Sequence, residues 1–407
     1  MKNLVIRSGS LRMGGLERVL IDTLSLLDTS KYKVSLIIED DCEKQNIFQN
    51  DVPKDIQIYF IKPKSVIDKT HKYRENRKKS FISRVLYNWN MHLEHKLCYE
   101  NTKKILSLIE EKNGEIDLFI DYDWGATRYI DKLNLKNKIV WIHNSVSNLM
   151  KKKSKIERFG KRLKKYDCVV SICDEMKEEI EELYPFLKGK VKRIYNPFNF
   201  EKIEKMSKEK DELSLEEQNL LKDSYILAVS RLDTVQKDYQ TLLKGFKKAL
   251  DSGFNKKLYI LGDGPNRDEI KEISQGFNLE NKVVFLGRKK NPYVWMKNCE
   301  FFVHSSKYEG FGLVIVEAMS LKKATIVSDC KVGPKEILGN GKYGILFEVG
   351  DCLELSKSIL DLDKNLNKRE QLEEIGYKRS HDFSGEIIKK EIEKLINSIV
   401  EEKNDFK

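Results

Sequence analysis

Short runs rich in Val, Ile and Phe alternate along this chain with amphipathic stretches of about 10 to 20 residues. The apolar runs include Lys33-Val34-Ser35-Leu36-Ile37-Ile38, Asp117-Leu118-Phe119-Ile120, Lys138-Ile139-Val140-Trp141-Ile142 and Cys168-Val169-Val170-Ser171-Ile172. Alternation of this kind predicts βα units on a mostly parallel sheet. It breaks at Phe200 to Lys222, where Glu, Lys, Asp and Ser dominate, and restarts at Tyr225-Ile226-Leu227-Ala228-Val229. A second series follows at Lys257 to Leu261, Val283 to Leu286, Glu300 to Val303 and Ala324 to Val327. Two doubly wound α/β domains joined near residues 195 to 222 are the simplest architecture. From Ser384 to Glu402, Ile387, Ile388, Ile392, Leu395, Ile396 and Ile399 recur at helical spacing, which predicts a closing helix with one face packed.

A length of 407 residues allows two or three such domains, and a hydrophobic fraction of 40% excludes a disordered chain. No apolar run approaches the roughly 18 residues that span a bilayer. Met1-Lys2-Asn3-Leu4-Val5-Ile6-Arg7 is too short for the apolar part of a signal peptide and reads as a first core strand of a cytoplasmic protein. Seven cysteines at scattered positions, with no C-x-x-C pair, predict reduced structural thiols.

Charge changes the picture more. The formal net charge is +11, and residues 1 to 200 carry all of the excess, with 39 Lys and Arg against 28 Asp and Glu; the remainder is balanced at 36 each. Lys62 to Lys79 holds eight cations and two acids, and Lys151 to Lys165 nine cations and one acid. Just beyond the first of these, Phe81, Ile82, Val85, Leu86, Tyr87 and Trp89 surround Arg84. Basic and amphipathic aromatic segments side by side fit an anionic membrane surface, and no nucleic-acid module is recognisable.

Candidate chemistry lies in the glycine turns that follow strands. The densest is Ser305-Ser306-Lys307-Tyr308-Glu309-Gly310-Phe311-Gly312-Leu313, leading into a helix that carries Glu317. Backbone amides at Gly312 and Leu313 would meet a phosphate at the positive end of the helix dipole. Arg231 and Lys237, in the loop after Val229, are two cations suited to a diphosphate and to its negative charge as a leaving group. Gly262-Asp263-Gly264-Pro265 is a third strand-to-helix turn, and Gly14-Gly15 a fourth, after the first strand. The last is not G-x-G-x-x-G and lacks the acidic partner of a dinucleotide site. His143 follows a strand as well, either as a core or capping residue or as a functional one. Asp121-Tyr122-Asp123 spells a D-x-D metal motif but reads as a decoy, because the cationic pair makes a metal redundant.

Taken together, Gly14-Gly15-Leu16-Glu17-Arg18, Arg231 with Lys237, Gly262-Asp263-Gly264-Pro265, Phe285-Leu286-Gly287-Arg288, and Glu309 and Glu317 with seven residues between them resemble the family 4 glycosyltransferases, retaining enzymes of the GT-B fold. The resemblance implies two Rossmann-like domains facing a central cleft: residues 1–200 binding acceptor, 201–380 binding a nucleotide-sugar donor, and 381–407 returning as a helix onto the first domain. It implies that Arg231 and Lys237 hold the donor diphosphate, Glu317 the ribose, and Glu309 with the backbone of Gly310, Phe311 and Gly312 the sugar. Gly14 and Gly15 would approach the phosphates, Arg288 would lie beside the base, and His143 would face the reaction centre. Ser230, where the family often has glycine, and the glycine-poor Ser320-Leu321-Lys322-Lys323-Ala324 depart from the pattern.

The function this predicts is a metal-independent transferase, needing no cofactor, that moves a sugar from a UDP-sugar to a lipid-linked or cell-surface glycan at the inner face of the cytoplasmic membrane. A GT-B sugar-nucleotide epimerase, a phosphorylase and a noncatalytic nucleotide-sugar or membrane-binding partner are the alternatives.

Overall fold

A computed structural model describes residues 1–210 and 213–401. Asp211 and Glu212, within the polar interval, and Glu402, the expected last residue of the closing helix, lie outside the described residues. The chain divides into two compact units. Met1–Ile172, Lys177–Pro197 and the chain from Gly385 onward form the first, and Cys173–Met176 with Phe198–Ser384 the second.

The first unit is built on seven parallel strands: β1 (Lys2–Ser8), β2 (Tyr32–Asp40), β3 (Gln57–Lys62), β4 (Leu118–Asp121), β5 (Lys138–Ile142), β6 (Cys168–Ser171) and β7 (Val191–Arg193). Their order is β3-β2-β1-β4-β5-β6-β7. The winding direction reverses between β1 and β4, which opens a crevice beyond the strand ends there. The central strands are apolar and buried because helices cover both faces of a parallel sheet. The closing helix, Gly385–Glu401, belongs to this unit and buries Ile388, Ile392, Leu395 and Ile396.

Six parallel strands form the second unit: β8 (Tyr225–Val229), β9 (Lys257–Leu261), β10 (Val283–Gly287), β11 (Phe302–His304), β12 (Thr325–Ser328) and β13 (Ile345–Phe347). Their order is β10-β9-β8-β11-β12-β13, so the reversal falls between β8 and β11. Ile226, Ala228, Leu258, Ile260, Val303 and Ile326 from the sheet pack with Leu243, Phe246 and Ile359 from its helices. The polar interval is not a bare linker: it contains the helices Phe200–Met206 and Leu215–Leu220, capped by Asn199 and Ser214. A capping box between Ser214 and Glu217 explains the second of these, whose sequence has no apolar stripe to predict it.

Among the described residues no helix is long and apolar enough to cross a membrane. All seven cysteines are unpaired, six of them buried.

Candidate active site

In the second unit the loops that leave β8 and β11 emerge side by side at the point of reversal. Backbone hydrogen bonds stitch them together: Asp238 N donates to Ser305 O at 3.0 Å and Lys307 N to Gln236 O at 2.8 Å. The side chain of Asp238 also caps the helix Tyr239–Asp251 through Thr241 N at 3.2 Å, which fixes where the first loop ends. Between these ties, Lys237 Nζ forms an ion pair with Glu309 Oε1, and both side chains are nearly buried. Lys237 and Glu309 come from strands that are adjacent in the sheet but 72 residues apart in sequence.

Glu309 has further partners. Oε1 accepts from Ser306 Oγ at 2.6 Å and lies 2.8 Å from His304 Nε2, while Oε2 accepts from Gln236 Nε2 at 3.2 Å. Burial alone would raise the pKa of this carboxyl, but Lys237 and the His304 contact hold it well below the usual carboxylate range. Glu309 is therefore a charged, oriented acceptor.

The second cation sits differently. Arg231 is 64% exposed and pairs with Asp233, two residues on. Arg231 and Lys237 thus do not face one another bare; a carboxylate occupies each. The Arg231 loop rests on the Gly262 to Pro265 turn through Leu232 N to Asp263 O at 3.1 Å and Asn266 N to Leu232 O at 3.0 Å. A Cβ on Gly264 would come within 2.3 Å of the Leu232 carbonyl oxygen, so glycine is what lets these two turns touch.

Gly312 adopts φ +101°, in the left-handed region, and caps the helix Leu313–Ser320. The positive end of that helix dipole lies beside the Glu309 loop. Gly310 and Phe311 are buried, but the Phe311 ring stands edge-on to Phe383 at 5.6 Å, so its side chain anchors the loop and only its backbone is left for a ligand. Glu317, one turn along, is buried and accepts from Tyr293 OH at 3.0 Å. Arg288 is exposed just past the end of β10.

The remaining expected residues belong to the first unit. Gly14 precedes the helix Gly15–Leu26 in extended backbone that any residue adopts, and a Cβ there would meet only the movable Glu17 carboxylate, which accepts from Ser10 Oγ at 2.7 Å. Gly15 is exposed. His143 follows β5, buried, with its ring 4.7 Å from that of Tyr122. It hydrogen-bonds the Tyr122 backbone, and its Nε2 has no partner among the described residues. Burial lowers its pKa to about 4, so the ring is neutral and Nε2 is a bare acceptor. The D-x-D carboxylates are both taken by Arg7, whose guanidinium pairs with Asp123 and lies 3.5 Å from Asp121. Asp121 also accepts from Tyr166 OH at 2.6 Å and Ala126 N at 3.0 Å.

Residues of these networks that lie outside any motif include Arg7, Tyr166, Tyr293 and His304. Two had a signal. Arg7 is a charge that directly follows the apolar run Leu4-Val5-Ile6 of the first strand, and His304 is the polar end of the run Phe301-Phe302-Val303.

Comparison with known proteins gives consistent results. The family model "Glycosyl transferases group 1" matches residues 209–379. An uncharacterized glycosyltransferase of Methanocaldococcus jannaschii is 31% identical over 347 residues, covering 74% of this chain and 84% of that protein. The N-acetylgalactosamine-N,N'-diacetylbacillosaminyl-diphospho-undecaprenol 4-alpha-N-acetylgalactosaminyltransferase of Campylobacter jejuni is 26% identical over 374 residues, or 89% of this chain and 92% of that one. Among solved structures, Anabaena HepE in complex with UDP aligns with a TM-score of 0.73 at 19% identity, over 98% of this chain and all of the other, which shows a common fold.

The state of His143 has a measurable consequence. Between its ordinary pKa of 6.5 and about 4, the unfolded chain binds a proton that the folded chain refuses. Its contribution is fully present above about pH 6.5 and falls as pH drops towards 4, by roughly 3 kcal/mol in all. Denaturant titrations of His143→Gln should show that part of the acid slope removed; an unchanged slope would mean that the ring is protonated in the fold.

Proposed function

Since the chain belongs to the group 1 glycosyltransferases, family 4 enzymes of the GT-B fold, we propose that it moves a sugar from a UDP-sugar to a hydroxyl of a lipid-linked or cell-surface glycan, with retention at the anomeric carbon and without a metal ion. The observation that carries this reading is the Lys237–Glu309 pair at the reversal point of the second sheet. An ammonium held by a carboxylate is ready to transfer to a stronger anion, and a nucleoside diphosphate supplies one. Lys237 then offsets charge on the departing diphosphate, with Arg231 as the second cation and the start of Leu313–Ser320 as a third source of positive potential. Glu317, steadied by Tyr293, accepts from the ribose hydroxyls, Arg288 lies beside the base, and Glu309 with the Gly310, Phe311 and Gly312 backbone takes the sugar. The start of Gly15–Leu26, with Gly14 and Gly15 offering little steric hindrance, admits a phosphate. The bare Nε2 of His143 accepts from a substrate hydroxyl.

In the transfer, the bond from the anomeric carbon to the phosphate oxygen breaks and the bond to the acceptor oxygen forms on the same face. The acceptor proton passes to the leaving phosphate, so no enzymatic nucleophile is required. Engagement of Asp121 and Asp123 by Arg7 supports a metal-independent route, since the D-x-D carboxylates already have their cation. UDP in the HepE complex and the diphospho-undecaprenol in the Campylobacter enzyme's name support the donor and acceptor classes.

A lipid-linked acceptor calls for an enzyme at a membrane, and the helix Phe81–Asn113 supplies a surface for it. Its C-terminal part buries Cys98, Thr102, Ile105, Leu106 and Ile109. On a stripe roughly opposite, Phe81, Ile82, Val85, Leu86, Trp89 and Leu93 are exposed, Phe81 by 78% and Trp89 by 62%. No acid occurs from Phe81 to Leu93, whereas Arg77, Lys78, Lys79 and Arg84 frame the stripe. Charge of one sign around exposed apolar side chains matches an anionic lipid surface, each cation adding about 1 kcal/mol. The protein is placed on this reading at the inner face of the cytoplasmic membrane.

Two experiments test these assignments. Lys237→Ala should lower kcat by about a hundred-fold or more while circular dichroism stays unchanged, and EDTA should leave wild-type turnover intact; wild-type turnover in the variant, or loss in EDTA, contradicts the diphosphate site. Vesicle flotation should recover the wild-type protein with membranes containing phosphatidylglycerol but not with pure phosphatidylcholine. A Phe81→Ser, Trp89→Ser double variant should float at least about ten times less, and equal flotation of the two proteins would remove the lipid surface from this helix.

A further inference from the structure

The Glu309 carboxylate is gripped unequally. Lys237, Ser306 and His304 all converge on Oε1, whereas Gln236 reaches Oε2 at 3.2 Å. His304 ends β11, is 2% exposed, and its ring stacks on that of Phe302 with centroids 6.3 Å apart. Unlike Lys237, with its flexible four-carbon stem, this imidazole is fixed by its strand and its neighbours. The tautomer follows from the partners. A charged carboxylate only accepts, so Nε2, 2.8 Å from Oε1, carries the proton. Ser306, 3.1 Å from the same nitrogen, directs its own hydroxyl to Oε1, and its amide is tied to Ser328 Oγ at 2.8 Å.

We propose that His304 is a positioning residue for the transfer: its Nε2–H pins Oε1 of Glu309, so that the carboxylate keeps its place and presents Oε2 to the donor sugar when the diphosphate draws Lys237 away. This rests on the donor site proposed above. Without His304, the carboxylate would be left with the Ser306 hydroxyl and Gln236, and would swing after the departing ammonium. The two anions would then compete for Lys237 during the reaction, and the sugar would lose its acceptor.

Replacement by leucine and by glutamine separates positioning from packing, since the glutamine amide can donate to the same oxygen and leucine cannot. His304→Leu should lower kcat about ten- to a hundred-fold, the range for losing a hydrogen bond to a charged group, while the KM for the nucleotide sugar changes less than about three-fold. His304→Gln should retain most of the turnover. Added to Glu309→Ala, His304→Leu should cause no further loss, because nothing remains to be pinned. Wild-type kcat in His304→Leu, equal losses in the two single variants, or a full additional loss in the Glu309→Ala background would each overturn the assignment.

A readout independent of turnover is the long-range ¹H–¹⁵N spectrum of the ring, which should show a neutral Nε2–H tautomer at pH 7. A Nδ1–H tautomer, which leaves Nε2 with no proton to donate, overturns the proposal even if the wild-type protein transfers no sugar from any donor. Such inactivity by itself would count against the donor reading, and the Nε2–H signal would still uphold the pin.

Discussion

Everything at the second-unit site turns on one ion pair that is nearly out of water. Desolvating an ammonium and a carboxylate is costly, and the interaction repays it only with good geometry and additional hydrogen bonds. The loops from β8 and β11 provide both: two backbone bonds fix their spacing, and Gln236, His304 and Ser306 complete the coordination of Glu309. The glycine turn beneath Arg231, the left-handed Gly312 and the Asp238 cap follow from the need to hold that geometry. On the proposed function, the lysine held by this carboxylate passes to the donor diphosphate.

The first unit applies the same physics to a different end. Burial pushes the Asp121 carboxyl up to about 6, against the pull of Arg7 and of the hydrogen bonds from Tyr166 and Ala126. Arg7, opposed by burial but raised by Asp123, Tyr129 and Asp121, holds its charge. A guanidinium that is 1% exposed and shared by these carboxylates is a structural clamp at the ends of β1 and β4. Directly after the end of β5, the neutral His143 offers an unpartnered nitrogen instead.

Much of this is legible in the sequence because the governing constraint is local. Strands buried on both faces must be short apolar runs, and turns that let two backbones touch need glycine, so β8 to β12 and the turns at Gly262 and Gly312 can be read directly. Glu309, Lys237 and Glu317 stand out through their spacing around those turns. What escapes is pairing. No local rule tells that Arg231 spends its charge on Asp233 while Lys237 reaches Glu309 from another strand, or that Arg7 belongs to Asp121 and Asp123, more than a hundred residues away. His304 lies only five residues before Glu309, yet its role shows only once the strand end fixes where the ring points. The apolar segment after residue 80 is visible as composition, but its exposure depends on which side of a 33-residue helix the sheet covers.

On the proposed function, Lys237 leaves Glu309 for a nucleoside diphosphate. If Glu309 competes with the ligand for the ammonium, removing its charge should tighten nucleotide binding even as it impairs transfer. Calorimetric titration of UDP, GDP and ADP in EDTA should therefore show one of them binding wild-type protein, and binding Glu309→Gln several-fold more tightly. Equal or weaker binding by the variant, or no binding of any diphosphate to either protein, would contradict the account.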